Sequence, residues 1–310
     1  MNKKLGISVL MPTQNEEAIV ELSITSFLDF ADELIVVDNG STDNTKIIIK
    51  ELESRYPPKI KFYDKPDLID LYQNRQFAFE KSSFSWVVRA DSDYVAYTTG
   101  SLDITLFKRK LLSTINDDPI IIYGIPQPNV TGDFWHTGIE LLKEKGKNEP
   151  GRYVPPPFTP GFMMRIYKVF PDFRFVRLGR WEGIENQDYL RKKMICLDYP
   201  LWMHCNIKSE ENYFYRSERT NWREQGDFVK YPTLETYIRE IIRDKWGTDN
   251  IAEAAGIYFR SSILPFLQFY DPKKYWPYPS IIEEQMKTNP IYKIQAEDGT
   301  IGRKKITTAG

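Results

Sequence analysis

The chain of 310 residues carries 42 Lys and Arg against 43 Asp and Glu, which gives a net charge of −1. This balance argues against a protein that binds nucleic acid or an anionic membrane through a basic surface. The length suffices for one large or two small domains with a sizeable core. Two cysteines, Cys196 and Cys205, provide neither a disulfide framework nor zinc-site spacing, and they are typical of reduced thiols.

The N-terminus, M-N-K-K-L-G-I-S-V-L-M-P, begins with basic residues, but its apolar run is interrupted by Ser8 and ends at Pro12. This run is too short for the core of a signal peptide and indicates a first strand. No stretch reaches the roughly 18 apolar residues of a membrane-spanning helix. The sequence therefore predicts a cytoplasmic protein.

Strands and helices alternate through the first 90 residues. The strands are predicted at 5–11, 33–37, 59–63 and 84–88, and the helices at 16–30, 43–56 and 70–81. This alternation is typical of βαβ units around a mostly parallel sheet flanked by helices, an α/β fold. Because right-handed crossovers bring the carboxyl ends of such strands to one edge, we expect the loops 12–17, 38–44 and 91–94 to lie where ligands bind.

The pattern changes after residue 100, and helices dominate after residue 209. Residues 102–112 read as helix or strand, and 126–160 as a long loop. Further predictions are strands at 120–125, 161–167 and 195–203, and helices at 184–193, 209–225, 233–246 and 250–263. The polar residues 296–310 are predicted to form a flexible tail. The resulting division is an α/β domain (1–205), a helical, aromatic-rich C-terminal region (206–295) and the tail.

The segment W-V-V-R-A-D-S-D-Y, from Trp86 to Tyr94, contains a D-x-D motif at the end of a predicted buried strand. Side chains two residues apart on a strand point to one side. Asp91 and Asp93 would then form half of the shell of a divalent cation, such as Mg²⁺, that also binds phosphates. The alternative is a polar turn after a strand, since Asp and Ser favour turns.

Other candidate residues are more ambiguous when taken singly. Asp38, which follows a buried strand, could accept hydrogen bonds from a base or a ribose, or could form an Asx-turn. Asn74 and Arg75 lie on a predicted helix, where Arg could reach a phosphate or face solvent. His204 could be a third metal ligand or a core residue.

The segment W-E-G-I-E-N-Q-D-Y contains three carboxylates, Glu182, Glu185 and Asp188. Glu185 and Asp188 would be i, i+3 neighbours on a helix. One of the three could act as a general base. The alternative is an acidic helix start that complements the helix dipole.

Together these segments resemble the family-two nucleotide-sugar glycosyltransferases, which have the GT-A fold. The resemblance is carried by I-S-V-L-M-P-T-Q-N-E-E, by D-E-L-I-V-V-D-N-G-S-T-D-N-T, and by N-R-Q-F-A-F-E-K-S-S-F-S-W-V-V-R-A-D-S-D. These motifs cover about the first 95 residues. The resemblance implies that 1–100 is a nucleotide-binding half and 101–205 an acceptor half of the domain.

The resemblance also implies roles for individual residues. The nucleoside pocket would be lined by Pro12, Thr13, Asn15 and Glu16. Asp38 would contact uracil or an equivalent base, and Asn74 and Arg75 would approach the base and the diphosphate. Asp91 would lie nearer the sugar, Asp93 would bind Mn²⁺ or Mg²⁺ directly, and His204 would complete the metal site.

The family often carries a Glu-Asp pair ahead of a helix, in which the acid is the catalytic base. Here the second position is Asn186, a departure that leaves the base open among Glu185, Asp188 and Glu182. The expected reaction is inverting transfer of a hexose from a UDP-sugar to a hydroxyl of a glycan, lipid-linked or peptide acceptor. Candidate aromatic residues for the acceptor site, each of which could instead be core, are Trp135, Trp181, Trp202 and Trp222.

The C-terminal helices are candidates for docking on the inner face of a membrane or for pairing in a homodimer. A degenerate domain that binds nucleotide or glycan without catalysis is an alternative, which the Asn186 departure supports. A sugar nucleotidyltransferase is another alternative. It would need a Gly- and basic-rich loop after the first strand, whereas this chain has T-Q-N-E-E there.

Overall fold

The computed structural model describes residues 3–68, 70–113, 120–137, 164–179, 181–288, 291–297 and 300–305. The predicted loop at 126–160 lies largely outside these residues, as do 161–163 of a predicted strand. The elements up to residue 113 are β1 (Lys4–Thr13), α1 (Val20–Ser26), β2 (Glu33–Asp38), α2 (Thr45–Arg55), β3 (Ile60–Asp64), α3 (Leu71–Lys81), β4 (Phe84–Arg89), β5 (Tyr94–Ala96) and α4 (Ile104–Ser113).

The remaining elements alternate less regularly. Short strands and one short helix come first: β6 (Ile122–Gly124), β7 (Asn129–Thr131), β8 (His136–Thr137), β9 (Met164–Lys168), β10 (Phe175–Leu178), β11 (Trp181–Ile184), α5 (Gln187–Arg191), β12 (Met194–Cys196) and β13 (Trp202–Asn206). The C-terminal elements are α6 (Glu210–Gln225), α7 (Leu234–Trp246), α8 (Ile251–Ser262), β14 (Gln268–Phe269), α9 (Ser280–Thr288), β15 (Tyr292–Glu297) and β16 (Thr300–Lys305).

A seven-stranded sheet of order β12-β6-β9-β4-β1-β2-β3 forms the centre of the fold. Its pairings are parallel except for those of β9, which runs antiparallel to both β4 and β6. The predicted α/β class with a mostly parallel, mixed sheet is therefore confirmed. Thr13, Asp38 and Arg89 end three neighbouring parallel strands, so the loops that follow them meet at one edge.

The sheet is buried on both faces because its central strands are apolar at nearly every position. On β1, Ile7, Val9 and Met11 face one core, which α1, α2 and α4 complete. Leu10 faces the opposite core, into which α3 inserts Ala78 and Phe79. Two cores thus fix the sheet between its helices and hold its carboxyl edge in place.

A smaller sheet of order β5-β13-β7 begins directly after the D-x-D motif. The predicted strand at 195–203 is wrong as a single element. Its first part, β12, pairs with β6 in the large sheet, and β13 pairs antiparallel with β5. Pro200 lies between the two strands and cannot donate a ladder hydrogen bond, which explains the interruption.

Two predicted helices are shorter than expected. α1 spans only Val20–Ser26 instead of 16–30, and the residue before it, Ile19, has a non-helical backbone with φ of −135°. α5 spans Gln187–Arg191 instead of 184–193, because Asn186 has a left-handed backbone with φ of 59°. The hairpin of β10 and β11 occupies the residues before it.

The structure differs from the predicted flexible tail over residues 296–297 and 300–305, which belong to two paired strands. β15 and β16 form an antiparallel hairpin in which Ala296 pairs with Ile301 and Glu297 with Thr300. The sequence between the strands contains Asp-Gly, the dipeptide that most favours a tight hairpin. The last five residues lie outside the described part of the chain.

The chain divides into two compact units that are not continuous in sequence, unlike the predicted boundaries at 205 and 295. The first comprises Met1–Val130, Val154–Asn206 and Tyr270–Pro290, and it contains the large sheet. The second comprises Thr131–Tyr153, Ile207–Phe269 and Ile291–Gly310.

The second unit contains the three long helices that the sequence predicts. α6, α7 and α8 begin after Ser209, Thr233 and Asn250, and each of these side chains accepts a hydrogen bond from a backbone N–H of the first turn. Within the unit, buried Glu218 accepts from Lys245 Nζ at 2.7 Å and joins α6 to α7. The helix boundaries agree closely with the sequence because these caps are local signals.

A buried carboxylate, Glu33, anchors the amino end of the large sheet. It accepts hydrogen bonds from Ser8 Oγ at 2.6 Å, from Ser83 N at 2.5 Å and from Lys61 Nζ at 2.5 Å. Burial alone would raise the pKa of Glu33, but hydrogen bonds from Lys61, Ser8 and Ser83 lower it overall. Glu33 therefore links β1, β2, β3 and the start of β4.

We expect Glu33→Gln to lower the free energy of unfolding by about 2 kcal/mol at pH 7, because charge-assisted hydrogen bonds are lost. A folded-state pKa below the ordinary 4.5 makes this stabilisation complete above pH 4.5 and lost as the pH falls further. Urea denaturation at pH 7 and pH 3 measures both values, with exposed Glu51→Gln as the control. An equal loss at both pH values would contradict an ionic role.

Candidate active site

The loops that follow β1 and β2 are bound to each other by hydrogen bonds. The backbone N–H of Asn15 donates to Ser41 Oγ at 2.8 Å, and that of Thr42 donates to Asn15 Oδ1 at 2.7 Å. The N–H of Glu16 donates to Thr45 Oγ1 at 2.8 Å. Asn15 has a φ of 54°, a conformation that Asn tolerates better than most residues. The predicted nucleoside-binding loops therefore form one rigid unit.

Asp38 lies fully buried at the base of this unit. Its Oδ1 accepts from the N–H groups of Gly40 at 2.9 Å and Ser41 at 2.8 Å, and its Oδ2 accepts from Ser41 Oγ. This is the Asx-turn alternative of the sequence analysis. The carboxylate shapes the loop, and contact with a base stays a prediction.

The other predicted nucleoside-binding residues lie at the same edge and are largely buried. Pro12, Thr13 and Glu16 are buried, whereas Asn15 is half-buried. The hydroxyl of Thr13 is buried and forms no hydrogen bond within the described residues. Buried polar groups without hydrogen bonds are rare and concentrate at functional sites.

Asn74 and Arg75 point from α3 into the protein and not towards solvent. Asn74 Nδ2 donates to Val37 O at 3.1 Å. The guanidinium of Arg75 is completely buried and donates to Leu10 O at 2.6 Å, to Ala90 O, to Asp91 Oδ1, and to Glu182 Oε1 at 3.0 Å. Arg75 therefore holds the ends of β1 and β4 together. Its side chain is not positioned to reach a phosphate.

Asp91, the first carboxylate of the D-x-D motif, lies among arginines. Its Oδ1 accepts from Arg75, and its Oδ2 lies 4.0 Å from Arg165 Nη1. Burial alone would raise the pKa of Asp91, but the charges of Arg75, Arg165 and Arg89 outweigh this and hold it well below its usual range. With 31% of its side chain exposed, Asp91 is an ionised group at the surface of the site.

Asp93, the second carboxylate, meets His204 through the register of β5 and β13. His204 pairs with Tyr94 in that ladder, and the N–H of Cys205 donates to Asp93 O at 2.7 Å. Asp93 Oδ2 then lies 3.1 Å from His204 Nε2. Two neighbouring ligands of an octahedral cation at 2.1 Å are roughly 3.0 Å apart, so this pair fits one edge of a metal site.

No three His, Cys, Asp or Glu side chains within the described residues are grouped as a metal site. The set of Asp91, Asp93 and His204 therefore stays a prediction, and Arg75 already engages Asp91. Asp93 and His204 fit a cation that takes its other ligands from phosphate oxygens and water, as Mg²⁺ usually does. These two residues would hold the cation.

Glu182 is the least accessible of the three candidate bases. Its carboxylate is 1% exposed and is bound by Arg75 and by Arg89 Nε. Burial lowers the pKa of Arg89, but the charges of Glu182 and of other nearby groups raise it overall, so Arg89 stays charged. A carboxylate enclosed by two guanidinium groups cannot reach an acceptor hydroxyl.

Glu185 and Asp188 lie near the surface at the start of α5. Glu185 Oε2 accepts from Arg174 Nε at 2.6 Å, and this hydrogen bond lowers the pKa of Glu185. Asp188 is exposed in the first turn of α5. Both are accessible to an acceptor, and the lowered pKa makes Glu185 a weaker base than an ordinary glutamate while it is paired with Arg174.

Two arginines of the site, Arg89 and Arg165, are absent from the residues that the sequence predicts. Arg89 stands in the D-x-D segment itself, where a charge in a buried strand signals a buried partner. Arg165 has no comparable signal, because only the fold brings β9 beside β4.

Two candidate acceptor aromatics belong to the protein's cores instead. Trp202 is fully buried against Tyr94, and Trp222 donates its indole N–H to Tyr231 O at 2.9 Å. Trp135 is half-buried, with Lys293 Nζ 5.2 Å from the centre of its ring. The side chain of Trp181 lies outside the described part of the structure.

We expect Glu182→Ala to lower the free energy of unfolding by about 3–5 kcal/mol, because it leaves two buried arginines without their shared counter-ion. Glu185→Ala, which breaks an exposed ion pair, should cost less than about 1 kcal/mol. Chemical denaturation of both variants measures the difference. An inactive Glu182→Ala of unchanged stability would restore Glu182 as a candidate base.

No helix in the described ranges combines the length and the apolar character needed to cross a membrane. Among curated proteins, the chain is 39% identical to an uncharacterized glycosyltransferase of Rickettsia typhi and 38% identical to one of Rickettsia bellii. Each match covers 87 residues, which are 28% of this chain and 27% of the relative. The chain thus matches about a quarter of the length of these relatives.

Among solved structures, TarS 1–349 of S. aureus in complex with UDP-GlcNAc is 12% identical, with a TM-score of 0.44 over 98% of each chain. Glucosyl-3-phosphoglycerate synthase of Mycobacterium tuberculosis is 26% identical, with a TM-score of 0.30 over 39% of this chain and 44% of that one. The model of the family described as glycosyl transferase family 2 matches residues 8–174, more than half of the chain. The chain therefore belongs to glycosyl transferase family 2.

Proposed function

We propose that the protein transfers a hexose from a UDP-sugar to a hydroxyl of a carbohydrate-type acceptor, with inversion at the anomeric carbon. The observation that carries this proposal is the carboxyl edge of the sheet, where Asp91, Asp93 and His204 follow the interlocked loops of β1 and β2. Membership of the family supports glycosyl transfer as the reaction. Transfer assays with a glycan, a lipid-linked sugar and a peptide would identify the class of acceptor.

The chemistry follows from the charges at this edge. The acceptor oxygen attacks the anomeric carbon, the bond from that carbon to the β-phosphate oxygen breaks, and UDP leaves with the electron pair. A carboxylate takes the acceptor proton, and Asp188 or Glu185 is accessible for this role. A divalent cation, when bound, supplies Lewis-acid stabilisation of the departing diphosphate. Attack from the side opposite to the leaving group gives inversion.

Two alternatives receive less support. The alternative of a domain that binds nucleotide or glycan without catalysis rests on Asn186, which replaces an expected acid. Two carboxylates near it, Glu185 and Asp188, are nevertheless accessible. A nucleotidyltransferase would need basic groups in the loop after β1, where Glu16 and Glu17 stand. Docking on a membrane and pairing of two copies stay predictions for the second unit.

Calorimetric titration with UDP, GDP, CDP and dTDP, each with and without Mn²⁺, tests the proposal. We expect UDP to bind most tightly and to require Mn²⁺. Asp93→Asn and His204→Gln should each weaken Mn²⁺-dependent UDP binding at least about tenfold, because each removes a ligand. Exposed Asp29→Asn is the control. Binding of no nucleotide would overturn the proposal, and binding indifferent to Mn²⁺ would remove the cation from it.

The base is tested by comparing Asp188→Asn with Glu185→Gln. The variant that removes the base should keep its affinity for UDP and lose sugar transfer to p-nitrophenyl glycosides by about 10²–10⁴-fold, since proton transfer contributes that much. The other variant should change transfer less than about fivefold. If both variants transfer at the wild-type rate, the acceptor proton goes to neither carboxylate.

A further inference from the structure

Arg165 is a buried cation at the site whose role is unassigned. It lies on β9, is 8% exposed, and its guanidinium carbon is 5.3 Å from the centre of the Tyr94 ring. Nη2 donates to Gln127 Oε1 at 3.3 Å, whereas Nε and Nη1 are buried and form no hydrogen bond within the described residues. Arg75, by contrast, uses its donors fully.

An arginine in this state does not stabilise the fold. A buried guanidinium stays charged, and burying a charge is costly unless hydrogen bonds and a counter-ion compensate for it. The cation–π contact and one long hydrogen bond offset only part of this cost. Residues that oppose stability in this way are typical of functional sites.

The position of Arg165 relative to Asp91 indicates its role. Arg75 occupies Oδ1 of Asp91, so only Oδ2 is available to a ligand. Arg165 Nη1 lies 4.0 Å from Oδ2, which is close enough for electrostatic attraction and too far for a hydrogen bond. Arg165 thus attracts Oδ2 without donating a hydrogen bond to it, so Oδ2 can still accept one from a ligand.

The negative charge of Asp91 Oδ2 favours a ligand group that can donate a hydrogen bond. A phosphate oxygen placed against Oδ2 would be repelled as a like charge, whereas a hydroxyl group can donate to it. Within a nucleotide sugar, hydroxyl groups belong to the transferred sugar and the ribose. Asp91 follows β4, whereas the predicted nucleoside site is formed by the loops of β1 and β2, so we assign Oδ2 to the sugar.

We propose that Arg165 is a positioning residue for the donor sugar, which holds Oδ2 of Asp91 by charge so that this oxygen accepts a hydrogen bond from one sugar hydroxyl. This inference rests on the proposed function. It adds a residue on β9 to the candidate active site.

The test compares Arg165→Met, which keeps the length of the side chain, with Arg165→Lys, which keeps its charge. UDP-glucose, UDP-galactose and UDP-N-acetylglucosamine are supplied without acceptor, and release of UDP measures donor hydrolysis. The donor that the wild type hydrolyses fastest is used for the variants. The inhibition constant of UDP and the thermal midpoint of unfolding are measured in parallel.

For Arg165→Met we expect kcat/KM for hydrolysis to fall about 10–100-fold, the range for loss of a charged hydrogen-bonding interaction. The inhibition constant of UDP should change less than threefold, and the thermal midpoint should stay equal or rise. Arg165→Lys should recover most of the lost activity, because a positive charge near Oδ2 returns. Exposed Arg55→Met is the control and should match the wild type.

Three results would overturn the inference. Equal losses in hydrolysis and in UDP affinity would make Arg165 a diphosphate-binding or structural residue. An unchanged rate of hydrolysis in Arg165→Met would show that Arg165 does not act in the site. A rate for Arg165→Lys as low as that for Arg165→Met would show that the shape of the arginine side chain matters and its charge does not. If the wild type binds UDP but the variants hydrolyse the donor as it does, only this inference fails. If the wild type binds no UDP, the proposed function fails.

Discussion

A single buried guanidinium, that of Arg75, ties together the parts of the structure on which the site depends. It binds the carbonyls of Leu10 on β1 and of Ala90 just after β4, and two carboxylates, Asp91 and Glu182, that come from different parts of the chain. The N–H of Ala90 also donates to Leu10 O at 3.2 Å, so Arg75 reinforces a pairing that the backbone already makes. Arg75 thereby ties the start of the D-x-D motif to β1.

This arrangement sets the charge of the site. Arg75, Arg89 and Arg165 face Asp91, Asp93 and Glu182, and the two sets balance. A divalent cation and a diphosphate of two negative charges would enter together without disturbing that balance. The formal charges of these six groups sum to zero, although Arg165 lacks, among the described residues, the hydrogen bonds that would fully offset the burial of its charge.

The sequence predicted the first half of the fold well, because each strand there is a continuous apolar run and each helix has local signals. The prediction from sequence failed where contacts between residues distant in the chain determine the structure. Pro200 separates two strands that join different sheets, and no local pattern shows that. The same holds in the site: the D-x-D motif is visible as a motif, whereas enclosure of Glu182 by arginines and the approach of Arg165 arise only from packing.

The interlocked loops after β1 and β2 have a thermodynamic consequence. Because Asn15, Ser41 and Thr42 already bind one another, a ligand that bound there would have little conformational entropy left to remove from the loops. More of its intrinsic interaction energy would then appear as affinity. The same connections make the two loops energetically interdependent, so substitutions at Asn15 and Ser41 will be non-additive.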